Sequence, residues 1–331
     1  MSDKVKLVQL AKDIYRNRFN HQNYSTSDAS DVLRNALIEI NGGTKLDFKS
    51  FRRNKVEMFE IIEEILENTV LEGLPDDNFF QQFVEYKNLA LGDKNSFYIP
   101  DRTNLVVSEI ADGTSALRRQ RIDRGTEVSI TTSWKGIKIY EHLSLLLSGR
   151  VDFGEMIEKL EEAFRLKIND DVYDAFIGSF DSLPTGFTTS GSFDEDALLD
   201  LVEHVEAASG KQAIIAGTRK ALRKVTTAIV SPTAQEDIYK MGYFGSFNGT
   251  PMVRIKQVHT AGTYNFKLSE NDIYVVTTDE KPVKFVTEGE VRILQGNELN
   301  NADLTQDYFS ATKYGTGVVI TDLYGKYQIS A

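Results

Sequence analysis

Between residues 91 and 140 the chain runs through a long stretch that has too few apolar residues to bury itself. This limits the fold more than any other feature. Val128, Ile130, Thr132 and Trp134 alternate with Glu127, Ser129, Thr131 and Ser133, the period of a half-buried strand. After Gly136 the apolar phase moves by one, to Ile137 and Ile139, which predicts a bulge at Gly136. Upstream, Phe97–Ile99 and Leu105–Ile110 read as partner-strand material, with Asp112-Gly113 as a turn signal. Two-stranded ribbons are marginal alone in water, and long loops are uncommon in compact domains unless they serve a role. The stretch is therefore expected to lie across a second polypeptide.

Charge supports that expectation. The whole chain carries a net charge of −11, yet residues 91–140 hold eight basic and six acidic side chains, with Arg118, Arg119, Arg121 and Arg124 close together. An acidic body cannot collect phosphates by counterion release, so sequence-specific DNA binding is not expected. A basic excursion suits an acidic protein surface instead. The chain has no cysteine, which excludes disulfides, thiolate zinc sites and cysteine nucleophiles and fits a reducing cytoplasm. No apolar run approaches membrane-spanning length, and the first nineteen residues lack the apolar stretch of a signal peptide.

The remaining elements follow from periodicity. In the first ninety residues, Ser27 or Asp28 caps an expected helix through Ile40, ended by Gly42 and Gly43. A second helix is expected over Phe51–Leu71, basic at its start (Arg52, Arg53) and acidic at its end, an order that opposes the helix dipole. Phe153, Ile157, Leu160, Phe164, Ile168, Val172 and Ala175 predict one long amphipathic helix from Asp152 to about Ile177. Its opposite face carries Glu158, Lys159, Glu161, Glu162, Asp170 and Asp171. Beyond the Gly/Thr/Ser-rich link 185–191, Ser192 and Glu195 form a capping-box pattern ahead of a helix that Gly210 closes. A short buried strand (Gln212–Ala216), a helix (Thr218–Val225) and another helix from Ser231-Pro232 to Met241 come next. Strands are expected at Met252–Val258, Ile273–Thr277, Lys284–Val286, Val291–Leu294 and Val318–Asp322.

Catalytic patterns do not emerge. His21, His142, His204 and His259 are scattered and show no metal-ligand spacing. Asn41–Lys45 lacks the first glycine of a phosphate loop, and Gly245–Gly249 places its serine wrongly for a nucleophile elbow. The Asp194/Glu195/Asp196 group suits a helix N-terminus. Tyr239, Tyr243, Phe244 and Phe247 read as core residues. The convergence of nucleophile, acid/base and anion-binding groups that an enzyme needs is missing. No cofactor and no metal are expected.

Three stretches resemble the major capsid proteins of tailed bacteriophages, a fold shared with encapsulins and the floor of herpesvirus shells. Val106–Thr114 through Glu127–Tyr140, followed by the long helix, looks like that family's extended loop, return strand and spine helix. Ala213–Lys224 is similar to its axial-domain strand, turn and helix, and Gly245–Ile255 to a glycine-rich approach to an axial strand. The glutamate of Ser108-Glu109 is separated from Gly113 by three intervening residues, where the family's acidic residue abuts its glycine.

The resemblance implies an α+β fold. Residues 1–90 would form an N-terminal arm, 91–140 the extended loop and return strand, and 141–182 a peripheral domain with the spine helix. An axial domain would span 183–295, and 296–331 would return to the peripheral domain. It also implies pentamers and hexamers closing into an icosahedral shell around double-stranded DNA, with portal and scaffolding or decoration proteins as further partners and no membrane. The virion capsid, assembled in the bacterial cytoplasm, is the expected location. Intersubunit contacts are expected from Arg118, Arg119, Arg121, Arg124, Arg52 and Arg53 on one side and Glu158, Glu161 and Glu162 on the other. Some relatives weld subunits through a lysine–asparagine bond; Lys94 and Lys135 are the lysines to consider, and nothing selects an asparagine. Two alternatives remain at this point, an encapsulin-type compartment shell and a soluble α/β enzyme.

Overall fold

The computed structural model describes residues 78–100, 105–109, 119–122, 124–142, 153–181, 183–225, 239–260, 262–278, 281–295, 305–319 and 324–330, together with positions 38, 49, 53 and 54. Most of the two expected arm helices, the Asp112-Gly113 turn, the Asp152 cap and most of the Ser231–Met241 helix lie outside these residues.

Two large sheets that share one long helix, a two-stranded ribbon and three shorter helices make up the described fold. In chain order the elements are α1 (Asn78–Phe83), β1 (Val84–Leu89), β2 (Phe97–Ile99), β3 (Thr126–Val128), β4 (Ser133–His142), α2 (Phe153–Gly178), β5 (Thr188–Gly191) and α3 (Glu195–Ser209). They continue with β6 (Ala213–Gly217), α4 (Arg219–Arg223), β7 (Ser246–Phe247), β8 (Thr250–Arg254), β9 (Asp272–Thr277), β10 (Val283–Glu288), β11 (Arg292–Gln295), β12 (Thr305–Val318) and β13 (Gly325–Ile329).

The first sheet is organised around β12. One edge of β12 takes β4 in antiparallel register from Tyr314↔Ser133 to Thr305↔His142. The other edge takes β10 and β11, and β1 joins β10 in parallel. Ile137, Tyr314 and Phe285 pack from this sheet onto Phe164, Ile168, Val172, Tyr173 and Phe176 of α2. Phe79, Phe80 and Phe83 of α1 belong to the same core, with Phe79 stacked on Tyr173 at 4.5 Å.

The second sheet has the order β5-β13-β9-β6-β8-β7. Leu198, Leu201, Val202 and Val205 of α3 cover one face through Ala213, Ile215, Ile273 and Val275. The opposite face, through Ile214, Ala216, Tyr274 and Val276, joins the core that contains Phe176 and Phe180. Burial on both faces explains why β6 reads as a continuous apolar run. The end of α2 thus belongs to the cores of both sheets.

Several expectations need correction. Gly136 is not a bulge, because the register runs without a break through Lys135↔Thr312, Gly136↔Ala311 and Ile137↔Ser310. Its missing side chain matters for another reason: a Cβ there would stand 2.8 Å from the Phe309 ring. The apolar phase changes because the strand is interrupted at residues 129–132. Trp134 consequently lies on the outer side, 46% exposed, with the Arg292 guanidinium 5.1 Å from its ring.

The cap of α3 is Asp194, whose carboxylate accepts from the Asp196 amide at 3.2 Å, and not Ser192. The Ser192 carbonyl instead accepts from the Tyr327 hydroxyl at 2.7 Å. The last strands are Thr305–Val318 and Gly325–Ile329 where Val318–Asp322 was expected, and β8 stops at Arg254. Sheet membership also cuts across the expected segments. β1, β10 and β11 belong to the β12 sheet, and β13 sits between β5 and β9 in the other.

Candidate assembly surfaces

The excursion between β1 and β4 leaves and re-enters the first sheet at one place. The chain turns at residues 90–93, where the Asp93 amide donates to the Ala90 carbonyl and Gly92 adopts φ 91°. It returns through Ile130–Thr132, crossing Gly315 and Gly317 so closely that a Cβ on Gly315 would overlap the Thr131 carbonyl. Ile130 packs with Phe97, Val286 and Val319 as a small separate core. The Asn95 side-chain nitrogen donates to the Ile130 carbonyl at 2.7 Å, tying the outgoing and returning chains together. The Lys87 and Lys284 ammonium groups lie 5.3 and 5.8 Å from the Phe97 ring centre.

Glu288, at the end of β10, meets both limbs of the excursion. One carboxylate oxygen accepts from the Gly92 amide at 3.0 Å and pairs with the Lys313 ammonium at 2.8 Å. The other accepts from the Thr132 hydroxyl at 2.5 Å. These donors, Lys313 first, then Thr132 and Gly92, hold the carboxyl down to about 2 from its usual 4.5. A depressed value means that the contribution to stability is complete above pH 4.5 and is lost as the pH falls towards 2.

Further out, β2 and β3 form the expected ribbon through Phe97↔Val128, Tyr98↔Glu127 and Ile99↔Thr126. Lys94 pairs with Glu127 at 2.7 Å and lowers that carboxyl; both side chains are exposed. The Tyr98 hydroxyl donates to the Arg124 carbonyl. Gln120 then acts as a strand neighbour in miniature. Its side-chain oxygen accepts from the Val106 amide and its side-chain nitrogen donates to the Val106 carbonyl, both at 2.7 Å. The flanking surface is apolar and open: Val107 is 96% exposed, and Leu105, Val106 and Ile122 are exposed too.

The candidate contact residues divide into groups. Arg119, Arg121 and Arg124 are exposed on the excursion, and Arg53 is exposed on a helical position. Arg118 and Arg52 lie outside the described residues, as does the Glu158 side chain, although its backbone belongs to α2. Glu162 is exposed on α2. Glu161 is not on the open face: it is 2% exposed and buried within its own chain. Asp170 and Asp171, expected on that face, also serve the fold. Asp170 and Asp174 pair with Lys267 at 2.7 and 2.6 Å, and Asp171 accepts from Lys167 at 2.7 Å and from the Tyr314 hydroxyl at 2.9 Å. Sequence reasoning missed Glu288, Thr132, Gly92 and Gln120.

Catalytic alternatives find little among the described residues. No group of His, Asp and Glu is arranged to hold a metal ion, and no helix is long and apolar enough to cross a membrane. Gly245–Gly249 forms a hairpin in which Asn248 and Gly249, at φ 46° and 89°, make the two-residue turn between β7 and β8. Phe244 and Phe247 are core residues as expected, whereas Tyr239 is 90% exposed.

Two mixed sheets sharing one long helix, with a ribboned excursion leaving the first sheet, define the major capsid fold of tailed-phage shells. The mature capsid of bacteriophage PhiM1 is similar in fold, with a TM-score of 0.52 at 10% identity over 77% of this chain and 87% of that one. The capsid of a native GTA particle is similar as well, with a TM-score of 0.53 at 14% identity over 76% of this chain and 90% of that one. No curated protein matches the sequence. A family model described as "SPbeta prophage-derived putative capsid protein YonB" matches residues 6–325, and the chain belongs to this YonB family. It is a structural capsid protein of a phage-like shell, and its place is the virion capsid.

Proposed function

We propose that this chain assembles into pentamers and hexamers of an icosahedral shell that encloses double-stranded DNA, and that the excursion makes a principal contact between copies. The observation that carries this reading is the excursion itself. Its base is built into the first sheet, while Leu105–Val107, Ile122 and the arginines Arg119, Arg121 and Arg124 face solvent in the single chain. Exposed apolar residues ringed by charge are an interaction surface. In a closed lattice of identical subunits each such patch meets a different patch on the next copy. Glu162 and Glu158 of α2 are the acidic groups that would receive the arginines, with Arg118, Arg52 and Arg53 adding to the basic side. The acidic balance of the chain suits an inner wall that repels packaged DNA. Assembly takes place in the host cytoplasm, with portal and scaffolding or decoration proteins as partners.

Electron microscopy of the purified protein tests the reading. Uniform polyhedral shells, or rings of five and six, are expected; a small monodisperse species would overturn it. Nucleic acid inside particles made during infection supports the virion role, whereas an enclosed enzyme would replace it with a cellular compartment. Reversal of Arg118, Arg119 and Arg121 to glutamate should abolish assembly and leave the far-ultraviolet dichroism unchanged. Normal shells from that variant would remove the arginines from the interface.

A further inference from the structure

We infer that Glu288 is a positioning residue: its carboxylate fastens both limbs of the excursion to the first sheet and sets the direction in which the excursion reaches the next copy. The inference rests on the proposed role of the excursion as an intersubunit contact.

The argument is one of geometry. The chain departs at Gly92 and returns at Thr132, and one side chain on a third strand accepts a hydrogen bond from each. A fourth segment joins through Lys313 of β12, which is paired to the same carboxylate. β12 is the strand that carries β4 on one edge and β10 on the other, so the clamp refers the excursion to the centre of the sheet. Glu288 is 9% exposed, and its bonds are of the charge-assisted kind, roughly twice as strong as neutral ones.

Besides Glu288, the excursion is held to the sheet by the apolar packing of Phe97 and Ile130 with Val286 and Val319, which is not directional, and by the Lys87 ammonium, which donates to the Ser96 carbonyl at 3.3 Å. The β2–β3 ribbon is three residues a side, and such ribbons are marginal alone. The Lys94–Glu127 pair is exposed, where ion pairs contribute little. Asn95 ties the two limbs to each other and leaves their direction free, since its partner Ile130 belongs to the excursion. Glu288 ties them to the body. With both limbs held by one group, a swing of the base of the excursion costs the Gly92 and Thr132 bonds together, beside the apolar contacts of Phe97 and Ile130.

Hydrogen–deuterium exchange of the purified protein, read by mass spectrometry, tests the clamp independently of shell formation. Glu288→Ala and, as a smaller change, Thr132→Val should raise exchange in residues 97–99 and 126–128 about tenfold or more, while β6 and β9 keep their protection. Glu288→Gln, which still accepts from the Gly92 amide, should fall between. Particles from Glu288→Ala should be absent or irregular by microscopy, and Glu288→Gln should restore part of the yield. Unchanged exchange in the ribbon of both Glu288→Ala and Thr132→Val would overturn the clamp. Raised exchange with normal shells would overturn its role in directing the excursion. Should Glu288→Ala unfold globally, Thr132→Val decides. A wild-type protein that forms no particles would sink the shell reading, and the exchange measurement would still judge the clamp.

Discussion

Single residues at the base of the excursion show how close approach is achieved. Gly315 and Gly317 are not there for conformational freedom: neither adopts a positive φ, and both are paired with β10. They are small because the returning chain passes directly over them. Gly315→Ala should therefore push the Thr131 carbonyl away and destabilise the protein by about 1–3 kcal/mol, the usual cost of overpacking. Gly178→Ala is the control, since it ends α2 with open space around the added methyl group. There the melting temperature should hold or rise, by up to about 1 kcal/mol of added stability. Equal losses from both substitutions, measured by thermal denaturation, would refute the close-approach account.

At the scale of elements, the cap of α3 separates two readings that the sequence allows. Ser192 with Glu195 has the spacing of a capping box, but the Asp194 side chain is the one that meets a free helix amide. Asp194→Ala should cost about 1 kcal/mol, and Ser192→Ala clearly less, because Ser192 contributes its backbone carbonyl; chemical denaturation measures both. Elements with strong local signals were readable in advance. The long helix was expected from Asp152 to Ile177 and runs over Phe153–Gly178, because apolar residues recur at every turn of it. β12 was not readable. One face mixes Tyr308, Ser310, Thr312 and Tyr314, and the other mixes Phe309, Ala311 and Lys313 with Gly315 and Gly317, so no apolar alternation survives. The candidate site divides in the same way. Clustered arginines are visible in composition, whereas Glu288 acquires its role only when Gly92 is brought to it from 196 residues away.

For the molecule as a whole, the aromatic group around Phe176 joins the two sheets. Phe176 contacts the rings of Phe79, Phe83, Phe180 and Tyr274, and Phe285 and Tyr314 of the first sheet belong to the same cluster, so α1, α2 and both sheets share one core. Phe176→Ala should cost about 3–5 kcal/mol and lower a single cooperative melting transition in calorimetry. Two transitions in the parent protein, with only one moved by the substitution, would show that the sheets are independent. The order in which strands are added to these sheets also has a consequence for synthesis. β12 lies between β4 and β10, and β13 lies between β5 and β9, so each sheet is completed by a strand from the far end of the described chain. A ribosome must therefore translate as far as Val318 before the first sheet can close, and as far as Ile329 before the second can. Until then Glu288 has no Lys313 to meet, and the excursion has no Gly315 to cross. Chains shorter than this lack the clamp at the base of the excursion, and, on the proposed assembly role, the topology itself delays subunit joining until translation has passed β12 and β13.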